Sequence, residues 1–454
     1  MKVQIGILKS QLKTDNPKLI KALSELYTFK IPGAEFSHAY RRGHWDGKQR
    51  YINNKGVFRT GLLERILGDL NRIECTPDLE HTYKNTKKTP KTKEIADFSY
   101  YSFQKDLIKK ALKNKRGIIK APTGSGKTLI MAGLVQALLG KQMVILFNAK
   151  QLLTQTYEFL TDACGFDNVG LCFGEGYIYG DIMLCTVQSI DKILDTHLET
   201  AEVIMVDEVH EFANGKTTLA AINSFPKAEY RFGLTATPPS DDIPKFNLEG
   251  AFGPIWETTS TSGLVEEGKL SKPLIQLIKT PNTSGEDAYM SYGDVYETFI
   301  IRNEDRNNKI TEIVSSISNS NNEARILILV KQLEHAQILN DLIPNSYRLW
   351  GDDNLSDRYK VITNFLNENS ASVLIGTKIL QTGINIEEIT HFINARGLKS
   401  EIATLQAMGR ALRIHPSKEK VYIYDFIDSA KYLKMHSNKR KKYYIQEGHE
   451  ITIL

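Results

Sequence analysis

The sequence is poor in cysteine and has no long apolar run, and each shortage excludes a class of protein. Its four cysteines, Cys75, Cys164, Cys172 and Cys185, form no C-x-x-C pair, so we expect neither a zinc site nor a disulfide framework. No run of about 18 apolar residues predicts a transmembrane helix. The N-terminus also lacks the apolar core of a secretory signal. We therefore expect a cytoplasmic protein that does not enter a membrane.

Charge is nearly balanced over the whole chain but uneven along it. The 58 basic and 53 acidic residues give a net charge of +5. Basic residues concentrate between residues 38 and 72, between Lys84 and Lys93, and from Lys439 to Lys442. Such local surfaces suit a polyphosphate backbone. The stretch that contains Pro90 is equally typical of a solvated linker.

The length and the alternation of elements predict several domains. A chain of 454 residues is too long for one core and suits about three domains. Apolar strands such as QMVILF and ARILILV alternate with amphipathic helices in two successive series, a pattern typical of parallel α/β sheets. We predict a small N-terminal α+β accessory domain over residues 1–80, a basic linker over 81–95, and tandem α/β domains over 96–265 and 266–454. Ligands of open α/β sheets bind in clefts at the strand ends.

A glycine-rich loop follows the first strand of the first α/β series. Its sequence is Ala121-Pro-Thr-Gly-Ser-Gly-Lys127-Thr128. Gly124, Ser125 and Gly126 would turn backbone N–H groups toward phosphate oxygens at a helix N-terminus. Lys127 is expected to reach the β- and γ-phosphates, and Thr128 to bind Mg²⁺. The sequence therefore predicts ATP and Mg²⁺ as ligands.

Two further strand ends carry groups that complete this chemistry. Asp207 and Glu208 follow the apolar strand VIMV; Asp207 is expected to hold Mg²⁺ and Glu208 to polarise the attacking water. Without the glycine-rich loop, the pair would be an ordinary acidic turn. Thr235 and Thr237 follow another strand, where they could couple Glu208 to the rest of the domain. Gln104, ahead of the loop, could bind an adenine edge with its amide.

Near the C-terminus, three polar side chains share one face of a predicted helix. Gln406, Arg410 and Arg413 are spaced one turn apart. An arginine that enters an ATP site from a partner domain accelerates phosphoryl transfer by about 10³–10⁵-fold. The alternative is a basic helix that packs on its own sheet, although Gly409 is disfavoured inside a helix unless something approaches it closely.

Together these segments resemble the superfamily 2 helicases and translocases. The motifs APTGSGKT, CTVQS, DEVH, TAT, IGTKILQTGIN and QAMGRALR occur in the family's order. The resemblance implies two RecA-like domains with ATP between them and nucleic acid across both. It further implies a nucleotide contact at Gly383, coupling roles for His210 and Gln406, and backbone contacts to the tracked strand from Thr186, Gln188, Thr377 and the loop before Gly383. Asn385 replaces an aspartate that the family often uses for a ribose contact.

The N-terminal segment resembles the accessory domain of phage recombination helicases of the UvsW type. Its core is Trp45-Asp46-Gly47. An aromatic ring among basic residues suits base stacking and phosphate contact, and the predicted nucleic-acid contacts are Arg41, Arg42, Trp45, Lys48 and Arg50. The alternative interpretation is structural, with Trp45 in a small core and Gly47 in a turn.

We therefore predict an ATP-dependent DNA helicase that unwinds branched DNA, migrates junctions and regresses forks in recombination, replication and repair. Branched or partly single-stranded DNA is the expected partner, and a single-stranded-DNA-binding protein is a further candidate. No oligomer is required. The site of action is the cytoplasm, that of the host if the gene is a phage's.

Three alternatives stay open. The first is a helicase for RNA or DNA–RNA hybrids. The second is the motor of a restriction system, for which we see no room for a nuclease domain after Asp425. The third is a non-catalytic nucleic-acid clamp that uses ATP only as a conformational ligand.

Overall fold

The computed structural model describes residues 1–84, 89–95, 98–122, 124–257, 259–281, 285–350, 355–377, 386–399, 411–416 and 418–454. The chain divides into two compact units. Met1–Ala121 and Gly126–Thr258 form the first unit, and Thr259–Leu454 with the short segment Pro122–Ser125 form the second. The N-terminal module lies within the first unit. The four-part division at residues 80, 95 and 265 stays a prediction.

The N-terminal module is an α+β structure with its own core. Apolar residues alternate with polar ones in its first strands, so that Val3, Ile5 and Leu12 point inward as period-two burial requires. The four-stranded sheet has the order β5-β2-β1-β6, and β3 pairs with β4 in a separate antiparallel ribbon. The elements are β1 Lys2–Ile5, β2 Lys9–Lys13, α1 Pro17–Leu26, β3 Thr28–Lys30, α2 His38–Arg41, β4 Lys48–Arg50, β5 Val57–Arg59, α3 Leu63–Arg72 and β6 Asp78–His81.

The rest of the first unit is an eight-stranded sheet of order β10-β9-β11-β8-β12-β13-β7-β14. Its strands are parallel except for the β9–β10 hairpin. The central strands are buried along their whole length, as their continuous apolar runs predicted. The elements are α4 Ser102–Asn114, β7 Arg116–Lys120, α5 Lys127–Ala137, β8 Met143–Phe147, α6 Lys150–Glu158, β9 Val169–Phe173, β10 Gly176–Ile178, β11 Ile182–Thr186, α7 Leu194–His197, β12 Val203–Val206, α8 Lys216–Ile222, β13 Tyr230–Thr235, α9 Asp242–Phe252 and β14 Ile255–Glu257.

The second unit contains a seven-stranded sheet of order β17-β18-β16-β19-β20-β15-β21. All its described strand pairs are parallel. The predicted fold class, two tandem parallel-sheet domains with a small α+β module, is thus confirmed. The elements are α10 Thr261–Glu266, β15 Lys272–Lys279, α11 Tyr292–Tyr296, α12 Glu304–Ser320, β16 Arg325–Leu329, α13 Leu333–Leu342, β17 Ser346–Leu349, α14 Leu355–Asn367, β18 Ser372–Gly376, β19 His391–Asn394, β20 Lys420–Ile427, α15 Leu433–Gln446 and β21 Ile451–Ile453. No helix in the described ranges is both long and apolar enough to cross a membrane.

Within the first unit, the N-terminal module is docked on helix α9. Phe246 of α9 is 8% exposed and belongs to the module's own core. Its ring centroid lies 4.7 Å from that of Phe29 and 5.3 Å from that of Tyr51. Arg65 donates two hydrogen bonds to the buried carboxylate of Glu249, at 2.9 and 2.8 Å. An inserted ring and a bidentate ion pair give the module a fixed orientation, which a flexible linker alone would not provide.

We predict that Phe246→Ala loosens this docking. Removing a buried phenylalanine costs about 3–5 kcal/mol when the surrounding structure cannot collapse into the space. The free energy of unfolding of the N-terminal module should therefore fall, and limited proteolysis should cut within residues 1–84 sooner. Phe36→Ala is the matched control, since Phe36 lies in the same module but is 72% exposed. Equal proteolysis rates for the two variants would contradict the docking role of Phe246.

Candidate active site

The glycine-rich loop joins β7 to α5 and requires glycine at two positions. Gly124 and Gly126 have φ values of +83° and +79°, in the left-handed region that favours glycine. A Cβ atom at Gly126 would lie 2.6 Å from Nε2 of Gln104, so a side chain does not fit there. Helix α5 then begins at Lys127. Its first N–H groups have no partner within the helix, and such a helix N-terminus is suited to a phosphate.

The two acidic residues at the end of β12 lie beside this loop. Lys127 Nζ is 2.6 Å from Oε1 of Glu208, and the side chains are only 14% and 17% exposed. Glu208 has a φ of +45°, a conformation that costs a non-glycine residue about 1–3 kcal/mol and is characteristic of functional sites. The structure therefore brings together the predicted phosphate-binding lysine and the predicted catalytic glutamate.

Electrostatics separates the roles of the two carboxyl groups. Burial, together with the adjacent Glu208, raises the pKa of Asp207. Burial also acts to raise the pKa of Glu208, but Lys127 and His210 outweigh it and lower that pKa. Glu208 is thus an ionised carboxylate. The negative charge of Asp207 is compensated less well, because Lys127 and His210 do not outweigh the effects of burial and of Glu208 there. A divalent cation beside Asp207 would relieve this imbalance.

The predicted magnesium ligands fit Mg²⁺ by their chemistry. Asp207 supplies a carboxylate at the end of β12, and Thr128 supplies an exposed hydroxyl in the first turn of α5. Both are hard oxygen ligands, which Mg²⁺ prefers, and a small number of protein ligands leaves room for water and substrate oxygens.

A series of polar side-chain contacts runs from Glu208 to β13. Nδ1 of His210 lies 3.4 Å from Oε2 of Glu208 and 2.8 Å from Oγ1 of Thr235. The backbone N–H of Thr237 donates to the same Oγ1 at 3.1 Å. His210, Thr235 and Thr237 are all buried. The structure thus places three of the four predicted coupling residues in one continuous contact with Glu208, while Gln406 lies outside the described residues.

Gln104 lies beside the glycine-rich loop rather than on the open surface. It is 1% exposed, and its Oε1 accepts a hydrogen bond of 2.9 Å from the Tyr101 backbone N–H at the start of α4. Its amide Nε2 faces Gly126. The structure therefore places it next to the loop, and its contact with adenine stays a prediction.

Three predicted nucleic-acid contacts follow strands at the carboxyl edges of the two sheets. Thr186 ends β11, is buried, and donates its hydroxyl to Oγ of Ser189 at 3.1 Å. Gln188 is exposed, and its Nε2 lies 3.4 Å from the Asn148 carbonyl oxygen beyond β8. Thr377 follows β18 in the second unit. The Thr186 hydroxyl donates its hydrogen bond within the protein, so the Thr186 backbone is the part that could contact a nucleic-acid strand. The nucleic-acid contacts of all three residues stay predictions.

The Trp45 box forms a compact turn in the N-terminal module. Nε1 of Trp45 donates to the Lys48 carbonyl oxygen at 3.2 Å. Arg50 binds Asp46 with two hydrogen bonds, one of them 3.1 Å long. Gly47 has a φ of +73°, and a Cβ there would lie 2.9 Å from that of Ala34. The structural interpretation of this box therefore holds for Gly47, while Trp45 remains half-buried.

The basic groove is a feature that the sequence did not reveal. It has a volume of about 1070 Å³ and is lined by Lys21, Lys30, Lys48, Arg50 and Lys55, with Glu25 as its acidic residue. Lys30 and Lys48 lie directly opposite each other in the β3–β4 ribbon, where like charges are destabilising. Such a pair gains stability from an anion. Lys30 could not be predicted, because only strand register brings it to Lys48, and Lys21 could not be predicted, because it reaches the groove from helix α1. Arg41 and Arg42, which were predicted, are exposed on and beside α2.

The second unit contributes one described residue of the predicted Gln406–Arg413 helix, and Arg413 lies in a bend rather than in a helix. Burial lowers the pKa of Arg413, and Glu387 partly opposes this. The backbone oxygen of Arg413 accepts a 3.3 Å hydrogen bond from the Ser271 hydroxyl. The other predicted residues of this half-site, Gly383, Gln406 and Arg410, lie outside the described residues.

Comparisons with known proteins agree with this arrangement. Residues 97–240 match the family described as "Type III restriction enzyme, res subunit", and residues 305–415 match the helicase conserved C-terminal domain. The ATP-dependent DNA helicase UvsW of Enterobacteria phage T4 is 26% identical, over 93% of this chain and 89% of that protein. The DNA 3'-5' translocase XPB2 of Sulfurisphaera tokodaii is 33% identical over 31% of each chain.

A solved structure supports the fold alone. Dbp5 of S. cerevisiae bound to RNA and ADP BeF3 has a TM-score of 0.54 and is 18% identical, over 78% of this chain and 90% of that one. The two family models, found in this order on the two parallel-sheet domains, together with the similarity to UvsW over nearly the full length, identify the chain as a superfamily 2 helicase, an enzyme that hydrolyses ATP.

Proposed function

We propose that this helicase acts on branched DNA, migrating junctions and regressing forks in recombination, replication and repair. The observation that carries the ATP-driven part of the proposal is the series of contacts from Lys127 through Glu208 and His210 to Thr235, because it joins the glycine-rich loop to β13 of the same sheet. The N-terminal module, which is docked on α9, carries the basic groove, and we propose that this groove is a second surface for the phosphates of DNA.

The protein's own residues divide the work of ATP hydrolysis. Lys127 is paired with Glu208, and it would turn toward the β- and γ-phosphates when ATP occupies the loop. Glu208 is then released to orient a water molecule for attack. Asp207 and Thr128 would hold Mg²⁺, which supplies neutralisation of phosphate charge. Gln104 would bind the adenine, and Gly383 the nucleotide from the second domain.

The second domain is proposed to complete the site and to convert turnover into movement. Arg410 and Arg413 would stabilise negative charge that develops during phosphoryl transfer. Gln406 and His210 would link the nucleotide site to the residues that contact the nucleic-acid strand. Alternating grip by Thr186 and Gln188 in one domain and Thr377 in the other would then advance the motor.

DNA is favoured over RNA by the N-terminal module and by the near full-length similarity to a DNA helicase. A helicase for RNA or DNA–RNA hybrids is the competing function. We place the enzyme in the cytoplasm, that of the host if the gene is a phage's, with a single-stranded-DNA-binding protein as a further candidate partner.

Lys127→Ala should abolish DNA-stimulated ATP hydrolysis while branched-DNA binding persists. Removing one charged group that stabilises a transition state costs about 10²–10³-fold in kcat. Steady-state ATPase assays with and without a four-way junction measure the first effect, and a gel-shift assay the second. Lys141→Ala is the matched control, because Lys141 also pairs with a glutamate, Glu202, in the same unit. Full ATPase activity in Lys127→Ala would contradict the assignment.

Glu208→Gln separates nucleotide binding from turnover. The amide keeps the shape of the side chain but cannot polarise water as a carboxylate does, so single-turnover hydrolysis should fall by about 10²-fold or more. Binding of a fluorescent ATP analogue should persist, because Lys127 is released from its ion pair. Loss of nucleotide binding with the hydrolysis rate per bound ATP unchanged would rule out the role given to Glu208.

Neutralising two lysines of the N-terminal groove should weaken junction binding without changing basal ATPase activity. For Lys30→Gln with Lys48→Gln, the slope of log affinity against log salt should become shallower by about 1.8, since each phosphate contact contributes about 0.9. Lys9→Gln with Lys13→Gln is the control, as both lysines are exposed on β2 of the same module. The substrates are a four-way junction, a fork, linear duplexes with either tail polarity, and duplex RNA.

Equal slopes for the groove variant and the control would show that the groove does not bind the substrate. Stronger stimulation of the wild-type ATPase by duplex RNA than by any DNA in the panel would favour the competing RNA function.

A further inference from the structure

The last helix of the second unit, α15, has an unusual charge composition. Its 14 residues, LKMHSNKRKKYYIQ, contain four lysines and one arginine but no aspartate or glutamate. Like charges one turn apart destabilise a helix by about 0.2–0.5 kcal/mol per pair. The basic run from Lys439 to Lys442 is part of this helix, and the ATP site does not use it.

Only Arg440 of the basic run lies on the face of α15 that packs on the sheet. Arg440 is 1% exposed, and its Nε lies 2.9 Å from Oδ2 of Asp425 in β20. Tyr444 donates its hydroxyl to the same Oδ2 at 2.7 Å. Leu433 and His436 are buried on this face too. Arg440 therefore anchors the helix to the sheet and fixes its rotation, which directs the remaining lysines outward.

The opposite face of α15 presents exposed lysines. We call it the lysine face: Lys434, Met435, Asn438, Lys439 and Lys442, all of them exposed. Among the described residues, none of its three lysines forms an ion pair. They line an open groove of about 740 Å³ whose acidic residue is Asp287. Asp287 is buried, and its carboxylate accepts a hydrogen bond from the Lys431 backbone N–H.

The groove starts at the edge of the sheet where the predicted strand contacts lie. Tyr432 immediately precedes α15 and follows β20, whose carboxyl end shares an edge with that of β18 before Thr377. Tyr432 has a φ of +64° and is 37% exposed, a strained conformation that its surroundings must hold in place. The ring of Tyr292 packs against it edge-on, with 5.9 Å between centroids.

The spacing and chemistry of the lysine face suit a nucleic-acid backbone. Lys442 lies eight positions after Lys434 in the helix, which places the two residues about 12 Å apart along its axis at 1.5 Å per residue. Over that distance one DNA strand presents about three to four phosphates, at about 3.4 Å each. Lysine is a compact point charge on a flexible stem, which contacts phosphate without reading bases.

We propose that the lysine face is a second DNA-binding site, which holds the backbone of a duplex arm next to the strand that the motor tracks. This inference rests on the proposed function, since it assigns a further contact to the same substrate. The lysine face should bind DNA of any base sequence, because lysines contact the phosphates and do not read the bases.

The test replaces the three lysines together, as Lys434→Gln, Lys439→Gln and Lys442→Gln. Affinity for a blunt duplex is measured over a series of salt concentrations. Loss of three contacts should make the slope of log affinity against log salt shallower by about 2.7 and weaken binding on the order of 100-fold at 0.1 M salt. The control replaces three exposed lysines elsewhere in the unit, as Lys309→Gln, Lys360→Gln and Lys420→Gln.

Replacing the same three lysines by arginine should restore the slope, because the charge returns. Basal ATPase activity should match that of the wild type in every variant, which shows that the motor is folded. A triple glutamine variant whose slope equals that of the control would overturn the lysine face as a DNA site, including the case in which the face serves an acidic protein instead. Failure of the wild-type enzyme to bind any DNA would instead overturn the proposed function.

Discussion

The ion pair between Lys127 and Glu208 is the interaction on which the ATP site depends. Its 2.6 Å contact joins the start of α5 to the end of β12, two segments that are far apart in sequence. Breaking a buried pair by removing one partner costs about 3–5 kcal/mol, since the other charge is left uncompensated. Under the proposed function, Lys127 would exchange Glu208 for a phosphate when ATP occupies the loop. Such competition would make the state of Glu208 depend on bound nucleotide.

The parallel sheet offers this proposed competition a route to other parts of the first unit. All the relevant groups follow carboxyl ends of neighbouring strands, so they lie at one edge. His210 contacts both Glu208 and Thr235 on β13, as the proposed coupling requires. Beyond β13, helix α9 carries Asn247, whose Nδ2 donates to the Ala213 carbonyl oxygen at 2.9 Å and whose Oδ1 lies 2.9 Å from the Tyr51 hydroxyl. Asn247 thus links the N-terminal module to the segment that follows His210.

Local patterns were sufficient to predict the fold class and to place the candidate ATP-site residues of the first unit at strand ends. Each predicted residue stands next to a strand whose apolar run marks it, so the sheet fixes its position once the strand is identified. Lys127, Asp207 and Glu208 illustrate this. The basic groove could not be predicted, because Lys30 and Lys48 meet only through the register of a short ribbon. Phe246 looked like an ordinary helix residue until its ring entered the core of another module. Arg440 looked like surface charge, and only helix rotation and Asp425 show that it is buried.

The hydroxyl of Thr235 offers the most direct test of coupling between the ATP site and movement. Thr235→Val keeps the buried shape but removes the oxygen that binds both His210 and the Thr237 N–H. The measurement is the number of base pairs unwound per ATP hydrolysed on a forked duplex. ATP hydrolysis should stay within a few-fold of the wild-type rate, while unwinding per ATP should fall by about 10-fold, since a lost buried hydrogen bond costs about 1–3 kcal/mol. An unchanged ratio of unwinding to hydrolysis would contradict the coupling role of the Glu208–His210–Thr235 chain.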